Sequence, residues 1–240
     1  MIMKLLLFTD PHRGFNENTS KIHDKVFSGL KGVDFDVVVV SGDWGITQLE
    51  HVKKAFKAFR TAFPDKPIVG VLGNHDLWDQ KTKSIQFKFE MIDKFAKEYN
   101  IHLLEKNPFE KDGVVIMGFN GWYHHPHPDT RDSDFMIQYV EGMTVDNYLR
   151  KKADDAVYFM MDYPKDGKKV VSVTHFPCIE EAMDNPTWNG NPQHGEVLKD
   201  FSDLVIFGHT HQAVDMVMGK TRVVNVGADY NKLLYKIVEI

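Results

Sequence analysis

Cysteine is almost missing. Cys178 is the only one in 240 residues, so no disulfide can form within the chain, and a reducing, cytoplasmic setting is expected. No apolar run approaches the ~18 residues of a membrane span, and a membrane partner is not expected. The opening run, Met1 to Phe8, breaks at once into Thr9-Asp10-Pro11-His12. That is too short for a signal-peptide core and has no small-residue cleavage site. Positive charge is in deficit, with 29 Lys and Arg against 34 Asp and Glu and a formal net charge of -5. The chain as a whole therefore offers no basic surface for tight, nonspecific nucleic-acid binding, although a local basic groove stays open. Internal repeats and low-complexity tracts are absent as well. With 42% hydrophobic and 26% charged residues, the composition is that of an ordinary globular protein. Its length suits one sizeable core better than two, and a single domain over residues 1–240 is expected.

Histidine, by contrast, is plentiful, at 12 residues. It is the commonest metal ligand and titrates near neutrality, so position matters more than count. Five short apolar runs each end in polar residues of one chemical kind. Leu5 to Phe8 leads into Asp10 and His12, and Val37 to Val40 into Ser41-Gly42-Asp43. Ile68 to Leu72 leads into Gly73-Asn74-His75-Asp76, Val170 to Val173 into Thr174-His175, and Leu204 to Phe207 into Gly208-His209-Thr210-His211. Continuous runs of β-branched residues and leucine read as strands buried on both faces. Between them, residues 20–30, 47–62 and 84–99 carry helical spacing. Strand alternating with helix implies a largely parallel sheet with helices outside, an α/β fold. After His211 the texture changes to short strands over 213–218, 221–226 and 232–239, which suggests antiparallel pairing and a second sheet. Residues 119–165, rich in proline at their start and helical later, read as an insertion covering the pocket.

In open α/β sheets, ligands bind beyond the carboxyl ends of the strands. Here every such end delivers Asp, His or Asn, while Gly42, Gly73 and Gly208 permit tight turns. Asp10, His12, Asp43, Asn74, His175, His209 and His211 make seven donors. That is too many for one first-row ion and right for two ions sharing a carboxylate. Imidazole mixed with oxygen favours Mn, with Fe, Zn, Ni or Co as alternatives, over Mg or Ca. Paired ions bind phosphate oxygens and lower the pKa of a bound water, which suits attack on phosphorus.

Asp10-x-His12, Gly42-Asp43, Gly73-Asn74-His75-Asp76, Thr174-His175 and Gly208-His209-Thr210-His211, in this order, resemble the five motifs of calcineurin-like metallophosphoesterases. The resemblance runs from residue 4 to about 227. It implies a four-layer α-β-β-α sandwich of two mixed sheets, and a dinuclear phosphoesterase in which metal-bound hydroxide attacks the ester. It puts one metal on Asp10, His12, Asp43 and His211, and the other on Asp43, Asn74, His175 and His209, with Asp43 bridging. His75 is implied as the catalytic residue that protonates or stabilises the leaving group. Two subfamilies fit poorly: Gly42-Asp43-Trp44-Gly45-Ile46 lacks the Asp-Arg-Gly of protein Ser/Thr phosphatases, and Ile46 stands where purple acid phosphatases carry a ligand tyrosine.

The expected partner is a small phosphorylated substrate, for a phosphodiesterase or phosphatase. A nuclease is the alternative, disfavoured by length and net charge, and a metal-free scaffold of the same fold would show eroded ligands. Arg13 follows the first ligand pair and is a candidate phosphate clamp, against a plain surface ion pair. Asp76 either orients His75 or caps the next helix. His124, His125 and His127 sit in a proline-broken loop that makes a poor scaffold for a third metal. Trp122, Tyr123 and His124 are read instead as rimming the pocket, against an ordinary surface loop. The sequence leaves the oligomeric state open.

Overall fold

A computed structural model describes residues 2–78, 84–124, 142–183 and 190–240. The expected strands form, and they divide between two sheets. The first contains β1 (Lys4–Phe8), β2 (Val37–Ser41), β3 (Ile68–Val71), β4 (His102–Leu103) and the last strand, β11 (Lys236–Glu239), in the order β11-β1-β2-β3-β4. The second contains β5 (Phe109–Lys111), β6 (Val114–Phe119), β7 (Lys169–Thr174), β8 (Leu204–Ile206), β9 (Val214–Met218) and β10 (Thr221–Asn225), in the order β5-β6-β7-β8-β10-β9. β1 to β4 run parallel, as do β6, β7, β8 and β10, while β11, β5 and β9 pair antiparallel at the edges.

The two-residue period of a strand explains the layering. Leu5, Leu7, Val37, Val39, Val69 and Val71 pack against Val114, Ile116, Val171, Val173 and Ile206 in a core between the sheets. The alternate residues, Leu6, Phe8, Val38 and Val40, face a second core built with α1 (Glu17–Gly29), α2 (Leu49–Ala62) and, past the one-turn α3 (Asn74–Leu77), α4 (Ile85–Glu98). Phe8 stands edge-on to Phe59 of α2 at 5.3 Å, a favourable aromatic geometry. On the far side, Val115, Met117, Phe119, Val170, Val205 and Val223 pack against α5 (Val145–Asp162) and α6 (Pro192–Phe201). The result is the expected α-β-β-α sandwich of two mixed sheets.

Helix starts are marked chemically. Asn16, Ser84, Thr144 and Asn191 each accept a hydrogen bond from a backbone N–H in the first turn of the helix that follows. The stretch 119–165, expected as an insertion, divides in two. Its helix α5 links the parallel neighbours β6 and β7 and buries Ala153, Ala156, Val157 and Met160 under the sheet. That makes it the crossover of this pair and part of the outer layer, while residues 125–141 of the stretch lie outside the described residues. Among the described residues, no helix is long and apolar enough to cross a membrane.

Candidate metal centre

The parallel strands of both sheets end on the same side, and the seven expected donors converge there. Five of them, Asp10 (φ 47°), His12 (46°), Asp43 (53°), His209 (66°) and His211 (56°), adopt the left-handed region that non-glycine residues avoid. Such strain persists only where surrounding structure enforces it, and it gathers at functional sites. Neighbouring glycines make room. A Cβ on Gly42 would lie 2.6 Å from His175 Nδ1, and one on Gly73 would collide with Asp43 Oδ1 and its backbone nitrogen. Only Gly42 of the three expected glycines needs a positive φ; Gly73 and Gly208 are required for space.

The side chains face one another through atoms that carry lone pairs. Asp43 Oδ2 lies 3.6 Å from His12 Nε2 and 3.4 Å from His175 Nε2. Asp10 Oδ1 is 3.9 Å from His175 Nδ1 and 3.8 Å from His211 Nε2, and Asp10 Oδ2 is buried without a partner among the described residues. His12 Nε2 and His211 Nε2 stand 3.1 Å apart. The backbone N–H of His209 donates to Asp10 Oδ1 at 2.7 Å, which places the His209 ring 5.3 Å from that of His175.

The tautomer of His175 is decisive. Its Nδ1–H donates to the Ser41 carbonyl at 2.9 Å, so Nε2 carries a bare lone pair. That lone pair points at Asn74 Oδ1, 2.9 Å away, and at Asp43 Oδ2. Three acceptors aimed at one another repel unless a cation lies among them. The imidazoles do not take up protons to fill it: burial, and then neighbouring imidazoles, hold His12 and His175 well below the usual histidine range and His209 at about 3. Burial also pushes Asp10 up to about 8, the mark of a carboxylate cut off from water and lacking a counter-charge. Neutral imidazoles, a carboxamide oxygen and two carboxylates fit divalent metal ions of the kind that take mixed N and O ligands. Three groups have ligand atoms mutually within 4.8 Å: Asp10–His12–His211, Asp10–Asp43–His175 and His12–Asp43–His75.

His75 thus lies within ligand distance of that cluster, and its backbone N–H donates to Asp43 Oδ1 at 2.9 Å. Burial holds its imidazole at about 3. Asp76 does not touch it. Asp76 accepts the backbone N–H groups of Gly73 (2.9 Å), Gly45 (2.9 Å) and Trp44 (3.2 Å), capping α3 and tying two strand-end loops together.

The expected substrate contacts fare differently. Arg13 donates through Nη2 to Asp24 Oδ1 of α1 at 3.0 Å, the ion pair set against the phosphate clamp in the sequence reading. Trp122 is corrected too. It is 0% exposed, packs 5.0 Å from Phe176 and donates Nε1–H to Asp146 Oδ1 at 3.0 Å, so it belongs to the core and not to a pocket rim. Tyr123 is buried beside Phe176, with its ring 5.7 Å from that of His209. The His124 backbone is held by Gly190 and Arg150, and His125 and His127 lie outside the described residues.

Two residues that sequence reasoning missed complete the site. Asn225 donates to the Gly208 carbonyl at 3.1 Å and to Thr210 Oγ1 at 3.2 Å, steadying the loop that carries His209 and His211. Tyr230 stacks on His12 with ring centroids 4.2 Å apart, and its hydroxyl lies 3.0 Å from His75 Nε2. Burial, with Asp43 and Asp10 adding to it, pushes the phenol up to about 12. The signal was present: β10 pairs parallel with β8, so its carboxyl end also faces the site. Taking residues 221–226 as purely antiparallel hid it.

The sequence profile of the calcineurin-like phosphoesterase superfamily domain matches residues 3–232. No curated protein is matched. Among solved structures, the chain is similar to a phosphopantetheinyl hydrolase from Mycobacterium tuberculosis, with 15% identity, a TM-score of 0.73, and 95% of this chain and 90% of that one covered. It is also similar to a protein of Thermus thermophilus (13% identity, TM-score 0.65, 98% and 99% covered). A third similar structure is a dimetal phosphatase from Danio rerio (11%, 0.59, 92% and 86%). At these identities the structural likeness speaks for the fold.

Proposed function

The chain belongs to the calcineurin-like phosphoesterase superfamily, and from that premise we propose that it hydrolyses a small phosphate diester or monoester with the help of two divalent metal ions. One observation carries the dinuclear reading: a single oxygen, Asp43 Oδ2, lies close to donor nitrogens of both proposed ligand sets, 3.6 Å from His12 Nε2 and 3.4 Å from His175 Nε2. On this reading Asp10, His12, Asp43 and His211 hold one ion, and Asp43, Asn74, His175 and His209 hold the second. Bound there, the ions supply Lewis-acid charge for the phosphate oxygens and an acidified water.

The protein's own part is to hold these groups rigidly and to serve the leaving oxygen. His175 is locked by Ser41, Asp10 by the His209 amide, and Asp43 Oδ1 by the His75 amide, so each donor presents a fixed atom. His75 stands beside the cluster, within reach of His12 and Asp43, the place from which a proton can be given to a departing alkoxide. A single buried cysteine agrees with a reducing, cytoplasmic home.

The test is a panel of phosphomonoesters, linear diesters, cyclic nucleotides and nucleotide pyrophosphates, assayed with Mn, Fe, Zn, Ni, Co and Mg. Hydrolysis of a small ester, strongest with Mn, is the expected result. No turnover of any member with any metal would overturn the proposal, and preferential cleavage of DNA or RNA ends would replace it with a nuclease.

A further inference from the structure

Tyr230 is held on every side. Its carbonyl accepts the Thr19 hydroxyl of α1 at 3.1 Å, and the turn around it is closed by paired backbone hydrogen bonds between Asp229 and Lys232, each 3.1 Å. Its ring lies nearly parallel to His12, at 25°, with Phe15 at 4.8 Å and the edge of His211 at 5.1 Å. So fixed, the ring delivers its hydroxyl to one place, 3.0 Å from His75 Nε2.

The other nitrogen of His75 settles which way that hydrogen bond runs. Nδ1 is buried and has no partner among the described residues, and the Trp78 ring lies against the imidazole at 4.0 Å. A stranded N–H costs more than an unfilled lone pair. The neutral ring therefore keeps its proton on Nε2, where Tyr230 Oη can accept it, and leaves Nδ1 bare. Among the described residues, the phenol is the one hydrogen-bond partner of that ring.

We propose that Tyr230 is a positioning residue for phosphoester hydrolysis, its hydroxyl accepting the Nε2–H of His75 and holding that imidazole in the tautomer and orientation from which it serves the leaving group. This rests on the reading of His75 given above.

Tyr230→Phe is the discriminating variant, because it keeps the ring on His12 and Phe15 and removes only the hydroxyl. It should bind the same two Mn ions per chain, with KM unchanged. Its kcat should fall about 10-fold on alkyl esters, the usual scale for one lost hydrogen bond, and much less on nitrophenyl esters. In a His75→Asn background the same change should cost nothing more, since residues acting as one unit are not additive. Imidazole nitrogen NMR of the metal-free protein gives a readout independent of turnover. Wild type should show His75 as one tautomer with Nε2 protonated, and Tyr230→Phe, which removes the partner of that nitrogen, should move its signal. An undiminished further loss in the His75→Asn background, or an imidazole signal unmoved by Tyr230→Phe, would overturn the proposal. If His75→Asn itself loses equally on alkyl and nitrophenyl esters, the role given to His75 fails, and the NMR comparison still judges its coupling to Tyr230.

Discussion

Asp43 has to face two ways at once, and its two oxygens divide the work. Oδ1 is taken by the His75 amide, while Oδ2 looks at His12 and His175. Asp43→Asn replaces one oxygen by an amide whose hydrogens point at lone pairs. It should lower bound metal below two ions per chain and cut turnover by more than the roughly 10–100-fold typical of losing an outer partner. Metal analysis alongside kinetics decides this; two ions and near-native turnover in the variant would sink the bridging assignment. His75 poses the opposite question, because its ring lies within ligand distance of His12 and Asp43. His75→Asn should keep both ions and lose about 10²–10⁴ in kcat, most for poor leaving groups. A lost ion would make it a ligand. At this scale the donors were legible because each follows an apolar run, and a strand end fixes where its next residues sit. The direction of a side chain beyond the strand was not legible. Arg13 is adjacent to His12, yet the left-handed turn at His12 (φ 46°) sends it to Asp24. Trp122 shares its loop with Tyr123, yet Asp146 of a distant helix claims its N–H.

Among the elements, the turns matter as much as the strands. Gly73 packs so closely on Asp43 that any side chain collides with both the carboxylate and the backbone. Gly73→Ala should therefore destabilise the protein by about 1–3 kcal/mol through overpacking and weaken both metal sites together, as thermal melts with and without Mn would reveal. Helix α1 carries a different test. His23 is buried on it, and burial, then the Arg13 charge, lowers its imidazole from 6.5 to about 4. The folded state thus binds fewer protons than the unfolded chain between those values. The contribution is fully present above pH 6.5 and lost as pH falls toward 4, to a limit of roughly 3 kcal/mol. His23→Leu should flatten that part of the acid limb of stability; an unchanged limb would mean that His23 is not the group responsible. The strands of four or more apolar residues and the helices α1, α2 and α4 were readable from period alone. Helix α6 was not. It is ten residues long, opens on Pro192, contains Gly195, and gets its apolar face from Leu198 and Phe201 late in the run. β4, two residues long, exists only because β3 offers it a parallel edge.

For the whole molecule, the sandwich and the metal site are one problem. Each sheet brings the carboxyl ends of its parallel strands to the same end of the molecule, so Asp10, Asp43 and Asn74 from one meet His175, His209 and His211 from the other. The sequence showed both halves, but not that β10 returns parallel to β8 and adds Asn225 and Tyr230 to the same end. This convergence has a cost without metal. Five donors sit in left-handed backbone, Asp10 is driven up to about 8 by burial, and lone pairs face one another across 3–4 Å. Bound cations offset all three at once, because they bind the folded site and not the unfolded chain. At free metal a hundred times the dissociation constant, each site adds about 2.7 kcal/mol. In a domain of this size each kcal/mol moves Tm by about 2–4 °C. Removing both ions by chelation should then lower Tm by about 10–20 °C, and adding Mn back should restore it in proportion to its free concentration. The paired variant sharpens the test. Asp43→Asn should start with the lower Tm and respond weakly to Mn, since the carboxylate shared by both ions is gone. A wild-type Tm that ignores chelation, in protein shown to have carried two ions beforehand, would mean that the strained site is stable empty and that metal contributes nothing to the fold.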